Sequence, residues 1–117
     1  MHLNGSIKKE LIFEFILYVF GIIAIIKFYQ FNTLLTSLIL IAWLFGIFLW
    51  HKKHDILFFI IGAIVGPIAE IICIQFGVWQ YSNPSFLGIP IWLPFAWGLA
   101  VMLIKRIAET FVRIEMD

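Results

Sequence analysis

The amino-acid sequence predicts an all-α integral membrane protein with four transmembrane helices. Hydrophobic residues make up 63% of the 117 residues and charged residues only 13%, and the mean hydropathy is +1.06. A soluble domain carries charge at about a quarter of its positions, and a chain of this length cannot bury so many apolar side chains in a core of its own. Lipid is therefore the expected solvent, and residues 1–117 are expected to form a single transmembrane domain.

The apolar residues form four runs, each close to the ~20 residues that cross a bilayer core as a helix. In chain order they cover residues 11–26, 33–50, 56–76 and about 89–104. None of the runs alternates polar with apolar residues, which argues against strands. Backbone groups in lipid must also be satisfied within a helix or a closed barrel. We therefore interpret all four runs as helices.

The basic residues predict the orientation of these helices. With the N-terminus in the cytoplasm, the cytoplasmic segments hold Lys8, Lys9, Lys52, Lys53, Lys105, Arg106 and Arg113, and Lys27 alone lies outside. The positive-inside rule favours this arrangement, with both termini cytoplasmic in a multi-pass protein of the cell membrane. The opposite orientation would place seven cations outside. Residues 105–117 carry apolar side chains at helical spacing among charges, which predicts that they continue the fourth helix as a short amphipathic extension at the cytoplasmic surface.

Several other function classes receive no support from the sequence. A net charge of +1 and the lack of a basic groove argue against a nucleic-acid partner. The single cysteine, Cys73, excludes an internal disulfide and a multi-cysteine metal site. Residues 51–55, HKKHD, combine two histidines with an aspartate, but the flanking lysines would repel a cation, so we expect a solvated loop there. Glu14 lies about one turn from the cytoplasmic membrane edge and is expected to reach toward water. We expect neither a metal nor a cofactor.

The third helix carries small residues at a regular spacing that leads to a single carboxyl group. Gly62, Gly66 and Glu70 are four residues apart, and such spacing lets another helix approach closely in lipid. Gly98 on the fourth helix is predicted to join this contact. Pro67 removes one backbone donor and is expected to bend the helix just before Glu70. We therefore predict that Glu70 faces protein rather than lipid.

The segment just beyond Glu70 is rich in aromatic residues and proline. Its candidate ligand-binding residues are Trp79, Tyr81, Trp92, Trp97 and Pro90. An interfacial aromatic belt explains Trp and Tyr at a membrane edge. The alternative is an apolar pocket near the outer leaflet with Glu70 at its floor. Because desolvation disfavours charge, we expect the Glu70 carboxyl to be mostly neutral in such a pocket.

A family resemblance arises in residues 66–98. A glutamate followed by G-x-W-x-Y, a proline and L-G-I-P-I-W-L-P-F-A-W resembles a segment of the carotenoid-biosynthesis integral membrane proteins, the group of carotenoid hydratases and lycopene-cyclase domains. The matching positions are Glu70, Gly77, Trp79, Tyr81, Gly88, Pro90 and Trp97. The resemblance implies acid chemistry on an isoprenoid. Glu70 would protonate a double bond, and aromatic faces would stabilise the carbocation.

Three functions remain open from the sequence. The first is a small membrane protein that binds an apolar lipid- or isoprenoid-like ligand around Glu70, either for its own sake or as an accessory subunit of a membrane complex. The second is acid catalysis on that ligand, with Glu70 as the catalytic residue. The third is a small transporter or channel, a homo-oligomer in which Glu70 is the coupling carboxylate. Membrane lipid and an apolar small molecule are the expected partners.

Overall fold

The computed structural model of this chain describes residues 5–50 and 54–116. These residues form four α-helices and no strand, which confirms the predicted all-α fold. The helices are α1 (Gly5–Phe28), α2 (Asn32–Trp50), α3 (Asp55–Gln75) and α4 (Trp92–Met116). Residues 51–53, which hold most of the predicted histidine and lysine cluster, lie outside the described part of the chain.

The C-terminal end of α3 is set by a glycine. Gly77 adopts φ +76°, a conformation that costs glycine little because it has no side chain. The N–H of Gly77 donates to the carbonyl of Ile74, and the N–H of Val78 donates to that of Cys73, both at 3.0 Å. This pattern satisfies carbonyl groups that the last turn of a helix leaves without partners. The helix ends there although the apolar sequence continues.

Helix α4 is the centre of the bundle, since it packs against each of the other three and most extensively against α3. Glycines allow this close approach. A Cβ atom added at Gly62 would lie 2.7 Å from the carbonyl oxygen of Trp97, and one added at Gly98 would lie 2.8 Å from that of Phe59. A Cβ atom at Gly66 would collide with the Trp97 indole. The structure thus places all three predicted packing glycines at the α3–α4 contact.

The C-terminal half of α4 differs from the expected surface extension. The helix continues without a break to Met116, so the predicted continuation of the fourth helix is present. However, Arg106, Thr110 and Ile114, spaced four residues apart, are all buried. Side chains of this stripe contact α1. The described part of the extension is therefore an integral part of the bundle, because its polar side chains find partners on α1.

The outer faces of the bundle are apolar. Helices α1 and α3 are long and apolar enough to cross a membrane, and α2 contributes a shorter apolar helix, Asn32–Phe48. Exposed side chains on these helices include Ile26 (66%), Phe48 (70%) and Val65 (60%). Single exposed apolar side chains are ordinary in proteins, but contiguous apolar faces mark contact with a membrane or a partner. The bundle measures 47 × 26 × 21 Å.

Candidate functional site

The Glu70 carboxyl group joins three segments of the chain. The hydroxyl group of Tyr81, from the loop after α3, donates a hydrogen bond to Oε1. The indole N–H of Trp97, from α4, donates to Oε2. Glu70 is itself only partly buried, and both of its oxygens turn toward protein donors. The Glu70 carboxyl group thus links the loop between α3 and α4 to the two helices themselves.

Tyr81 is positioned by aromatic packing as well as by Glu70. Its ring meets the Trp92 ring edge to face, with ring centroids 6.1 Å apart and an interplanar angle of 89°, a favourable geometry for aromatic pairs. Burial raises the pKa of Tyr81 above its usual value, and the hydrogen bond to Glu70 raises this pKa further. The phenol consequently keeps its proton at neutral pH and can act as a donor.

A cavity of about 190 Å³ opens beside Tyr81. Ile25 and Tyr29, near the end of α1, form one wall. Residues of the α3–α4 loop and the start of α4 form the rest. They are Tyr81, Ser82, Asn83, Pro90 and Trp92. The lining therefore combines apolar surface with hydroxyl and amide groups, a composition typical of small-molecule sites.

Trp92 lines this cavity but is buried. Its side chain is only 4% exposed, and its indole N–H has no hydrogen-bond partner among the described residues. A buried polar group without a partner costs about 1–3 kcal/mol. The N–H itself is inaccessible, so Trp92 meets the cavity through its other atoms.

Polar contacts between two loops fix the cavity. The Asn32 side-chain amide donates to the carbonyl of Asn83 at 3.0 Å and to the hydroxyl oxygen of Ser85 at 3.1 Å. The Asn83 amide donates in turn to the carbonyl of Gln30. A tight turn with positive φ at Leu87 and Gly88 reverses the chain beyond Ser85. These contacts attach the α3–α4 loop to the α1–α2 connection and so define the cavity walls.

The structure divides the predicted site residues into three groups. Tyr81, Pro90 and Trp92 line the cavity. Glu70 and Trp97 do not line it. They are hydrogen-bonded to each other, and Glu70 also accepts a hydrogen bond from Tyr81 on the cavity wall. Trp79 is 45% exposed and is not part of the cavity wall, so its position fits the interfacial belt that the sequence also allowed. Sequence reasoning missed the α1 residues of the wall because nothing in their apolar run marks them.

A second polar cluster lies at the other end of the bundle and was not predicted. Arg106 on α4 is its centre, with Asp55 of α3 at 2.7 Å from Nη1. Glu10 and Glu14 of α1 lie 3.3 Å from Nη2 and 3.6 Å from Nε. Lys105 adds a second contact to Asp55 at 2.8 Å. We call this set, together with Thr110 and Arg113, the ion network.

The ion network corrects two expectations from the sequence. Glu14 does not reach toward water, since it is fully buried and the Thr110 hydroxyl lies 3.0 Å from both of its carboxyl oxygens. Asp55 is not part of a solvated loop, since it is 1% exposed and begins α3. Buried carboxylates persist only when they are paired and hydrogen-bonded. The signal was present in the sequence as the i, i+4 spacing of Glu10 with Glu14 and of Arg106 with Thr110.

No group of three or more His, Cys, Asp and Glu residues is placed to hold a metal ion within residues 5–50 and 54–116. No protein-family model, no curated protein and no solved structure matches the chain. The resemblance of residues 66–98 to the carotenoid-biosynthesis proteins therefore stays a prediction. The cavity and the side chains around it are the features of the molecule that indicate a function.

Proposed function

We propose that this chain is a multi-pass protein of the cell membrane in which all four helices cross the bilayer. Two apolar helices of sufficient length and a third, shorter one support this arrangement. The contiguous exposed apolar side chains of α1 and α3 support it as well. The charged half of α4 is accommodated because its buried cations pair with carboxylates, as charges near a membrane must.

Both termini lie in the cytoplasm in this proposal, because the basic residues cluster on that side. Four exposed positions test it in a Cys73→Ser background. Lys8→Cys and Glu115→Cys should react only with a reagent inside the cell. Gln30→Cys and Gln80→Cys should react with an impermeant reagent outside. External labelling at position 8 would reverse the topology, and internal labelling at position 30 would show that α1 does not cross.

We further propose that the protein binds an apolar lipid- or isoprenoid-like molecule in the cavity beside Tyr81. The observation that carries this proposal is a cavity of about 190 Å³ whose wall joins the apolar residues Ile25 and Pro90 to the polar residues Ser82 and Asn83. The Glu70 carboxyl contributes by holding the Tyr81 side chain in place. Such a site suits a ligand that is mostly apolar and carries one oxygen acceptor.

The geometry favours binding over acid catalysis by Glu70. The carboxyl group does not line the cavity, and each of its oxygens already accepts a hydrogen bond from Tyr81 or Trp97. A general acid must come within hydrogen-bond reach of the atom that it protonates. A proton from Glu70 would reach a ligand only through the Tyr81 hydroxyl. Glu70 is accordingly proposed as a positioning residue of a binding site.

Mass spectrometry of lipids that co-purify with the protein in detergent tests the binding function. Ser82→Phe places a ring in the cavity, and the bound lipid should fall to background. Gln80→Phe introduces the same side chain at an exposed neighbouring position outside the cavity wall and should retain the lipid. Equal lipid content in the two variants would exclude this cavity as the binding site.

A further inference from the structure

A second, smaller cavity lies along the same face of α1. It has a volume of about 70 Å³ and lies between α1, α2 and α4. Its α1 wall includes Leu17 and Gly21, and its α4 wall includes Ala96 and Ala100. Every residue of its wall except Tyr18 is aliphatic or glycine. An apolar cavity of this kind excludes water and accepts hydrocarbon.

Ile25 forms part of the wall of both cavities. The larger cavity continues to Tyr29, just beyond the end of α1, whereas the smaller one extends back to Leu17. These two positions are twelve residues apart in a segment that is helical up to Phe28, which corresponds to about 18 Å at 1.5 Å per residue. The hydrocarbon thickness of one leaflet is about 15 Å, half of the bilayer core. The two cavities together therefore match the length of one lipid chain.

Small residues keep the apolar end of this path open. A Cβ atom added at Gly21 would meet no heavy atom within 4 Å, so the glycine leaves free space beside α1. Ala96 and Ala100, one turn apart on α4, present only methyl groups to the same cavity. An apolar cavity of about 150 Å³ holds a benzene ring, so a cavity of half that size accepts the end of one chain and not two.

The polar end of the path discriminates by charge. None of the residues that line the larger cavity is basic, and burying an anion without a cation is strongly unfavourable. The available groups are neutral. Ser82 supplies a hydroxyl group, and Asn83 supplies a side-chain amide. An alcohol or carbonyl oxygen fits these donors, whereas a phosphate or carboxylate head group does not.

We propose that the two cavities form one binding path for a neutral, single-chain amphiphile. Its oxygen lies beside Ser82 and Asn83, and its chain passes Ile25 and ends between Gly21 and Ala100. This inference depends on the proposed binding function and specifies the ligand class and its direction. The tail points toward the middle of the bundle, away from the α3–α4 loop.

Photolabelling of the full-length protein in detergent with two hexadecanol probes tests this path. One probe carries a diazirine next to the hydroxyl group and the other carries it at the chain end. We expect the first to label the peptide that contains Tyr81 and Trp92. The second should label α1 near Gly21 or α4 near Ala100. Hexadecanol should compete at least about tenfold better than hexadecyl phosphate, a difference of about 1.4 kcal/mol.

The possible results separate the two proposals. Loop labelling by the first probe with chain-end labelling only on the exposed face of α1, as at Ile12 or Ile16, would overturn the path and leave the Tyr81 cavity as the site. No loop labelling by the first probe would overturn both. Equal competition by the phosphate would overturn the assignment of a neutral head group.

A substitution that fills the apolar end of the path, with a matched control on the same helix, tests the proposal further. Gly21→Leu should reduce labelling by the chain-end probe at least about tenfold and leave labelling of the loop by the first probe intact, which also reports that the protein is folded. Ile23→Leu, on the exposed face of the same helix, should change neither. Unchanged chain-end labelling in Gly21→Leu would overturn the path. If that variant does not fold, the positions labelled in the unaltered protein decide the question.

Discussion

At one end of the bundle the Glu70 carboxyl group accepts hydrogen bonds from a phenol and an indole, whereas at the other end Asp55 and Glu14 lie against the Arg106 guanidinium. Both arrangements satisfy carboxyl groups on membrane helices. Only the first uses neutral donors and adjoins a cavity with polar and apolar walls. In the second, charged side chains from three helices pair with one another.

This difference separates a stabilising function from a binding one. The charged side chains of the ion network pair with one another, since Arg106 by itself contacts Asp55, Glu10 and Glu14. Removing one member would leave charges without partners in a place from which water is excluded. At Glu70, Tyr81 and Trp97 the loss of one hydrogen bond between neutral donors and a carboxyl group lowers stability by a smaller amount. The two ends should therefore respond unequally to substitution.

The largest effect is expected at the centre of the ion network. Arg106→Met keeps much of the side-chain volume but leaves the network carboxylates without their shared cation. We expect the free energy of unfolding to fall by about 3–5 kcal/mol, the usual result of breaking a buried ion pair. Denaturant titration in detergent micelles, followed by circular dichroism, measures this. Lys8→Met, at an exposed position, should change stability by no more than about 0.5 kcal/mol. Similar results for both variants would show that the network contributes nothing to stability.

The next largest effect is expected at the α3–α4 contact next to Trp97 and Glu70. Gly66→Leu introduces a side chain where the Trp97 indole lies, and overpacking of this kind lowers stability by about 1–3 kcal/mol. Trp97 would also be displaced from Glu70. Ile61→Leu on the exposed face of α3 should have little effect in the same titration. A Gly66→Leu protein as stable as Ile61→Leu would contradict the packing described here.

A smaller effect is expected for the carboxyl group itself. Glu70→Gln keeps the size and one acceptor oxygen but places an NH₂ group opposite one of the two donors. We expect a loss of about 1.5 kcal/mol, the value of a single hydrogen bond to a carboxyl group. Glu115→Gln, on the exposed end of α4, is the control. If Glu70→Gln lowered the free energy of unfolding as much as Arg106→Met does, the two ends of the bundle would contribute equally to stability, contrary to this comparison.

The smallest effect is expected for the phenol. Tyr81→Phe retains the edge-to-face contact with Trp92 and removes only the donor to Glu70, so stability should fall by about 1 kcal/mol. Tyr18→Phe, at a position that is 41% exposed, should match the unaltered protein in thermal unfolding. In the Glu70→Gln background the Tyr81→Phe effect should shrink, because contacting residues are not additive. Strict additivity would mean that the two side chains are not energetically coupled.

The helices themselves were predictable from the sequence to within a few residues, except at the ends of α1 and α4. The predicted runs 33–50 and 56–76 correspond to α2 (Asn32–Trp50) and α3 (Asp55–Gln75). Hydropathy misses the N-terminal turn of α1 and the C-terminal half of α4 because their charged residues interrupt the apolar pattern. These residues remain helical because their charges pair across the bundle.

The candidate site was predictable only in part. Glu70, Tyr81 and Trp92 are recognisable because a carboxyl group and aromatic residues near a proline-rich loop are unusual in so apolar a chain. Ile25 and Tyr29 are not, since their identity as wall residues depends on which face α1 turns toward the loop. The hydrogen bonds of Asn32 with the α3–α4 loop join positions about fifty residues apart, and no local pattern encodes that distance.

The sequence by itself determined the apolar, all-helical class of this protein and the glycines at which α3 and α4 meet, because both follow from composition and spacing along one helix. The tertiary structure alone decided which charges pair, which aromatic residues face the cavity and that two cavities share Ile25. Those outcomes depend on the rotation and order of helices around α4. Hydropathy is nearly the same on every face of α1 and α3, so it does not specify that rotation, whereas the pairing of Arg106 with Asp55 and Glu14 does.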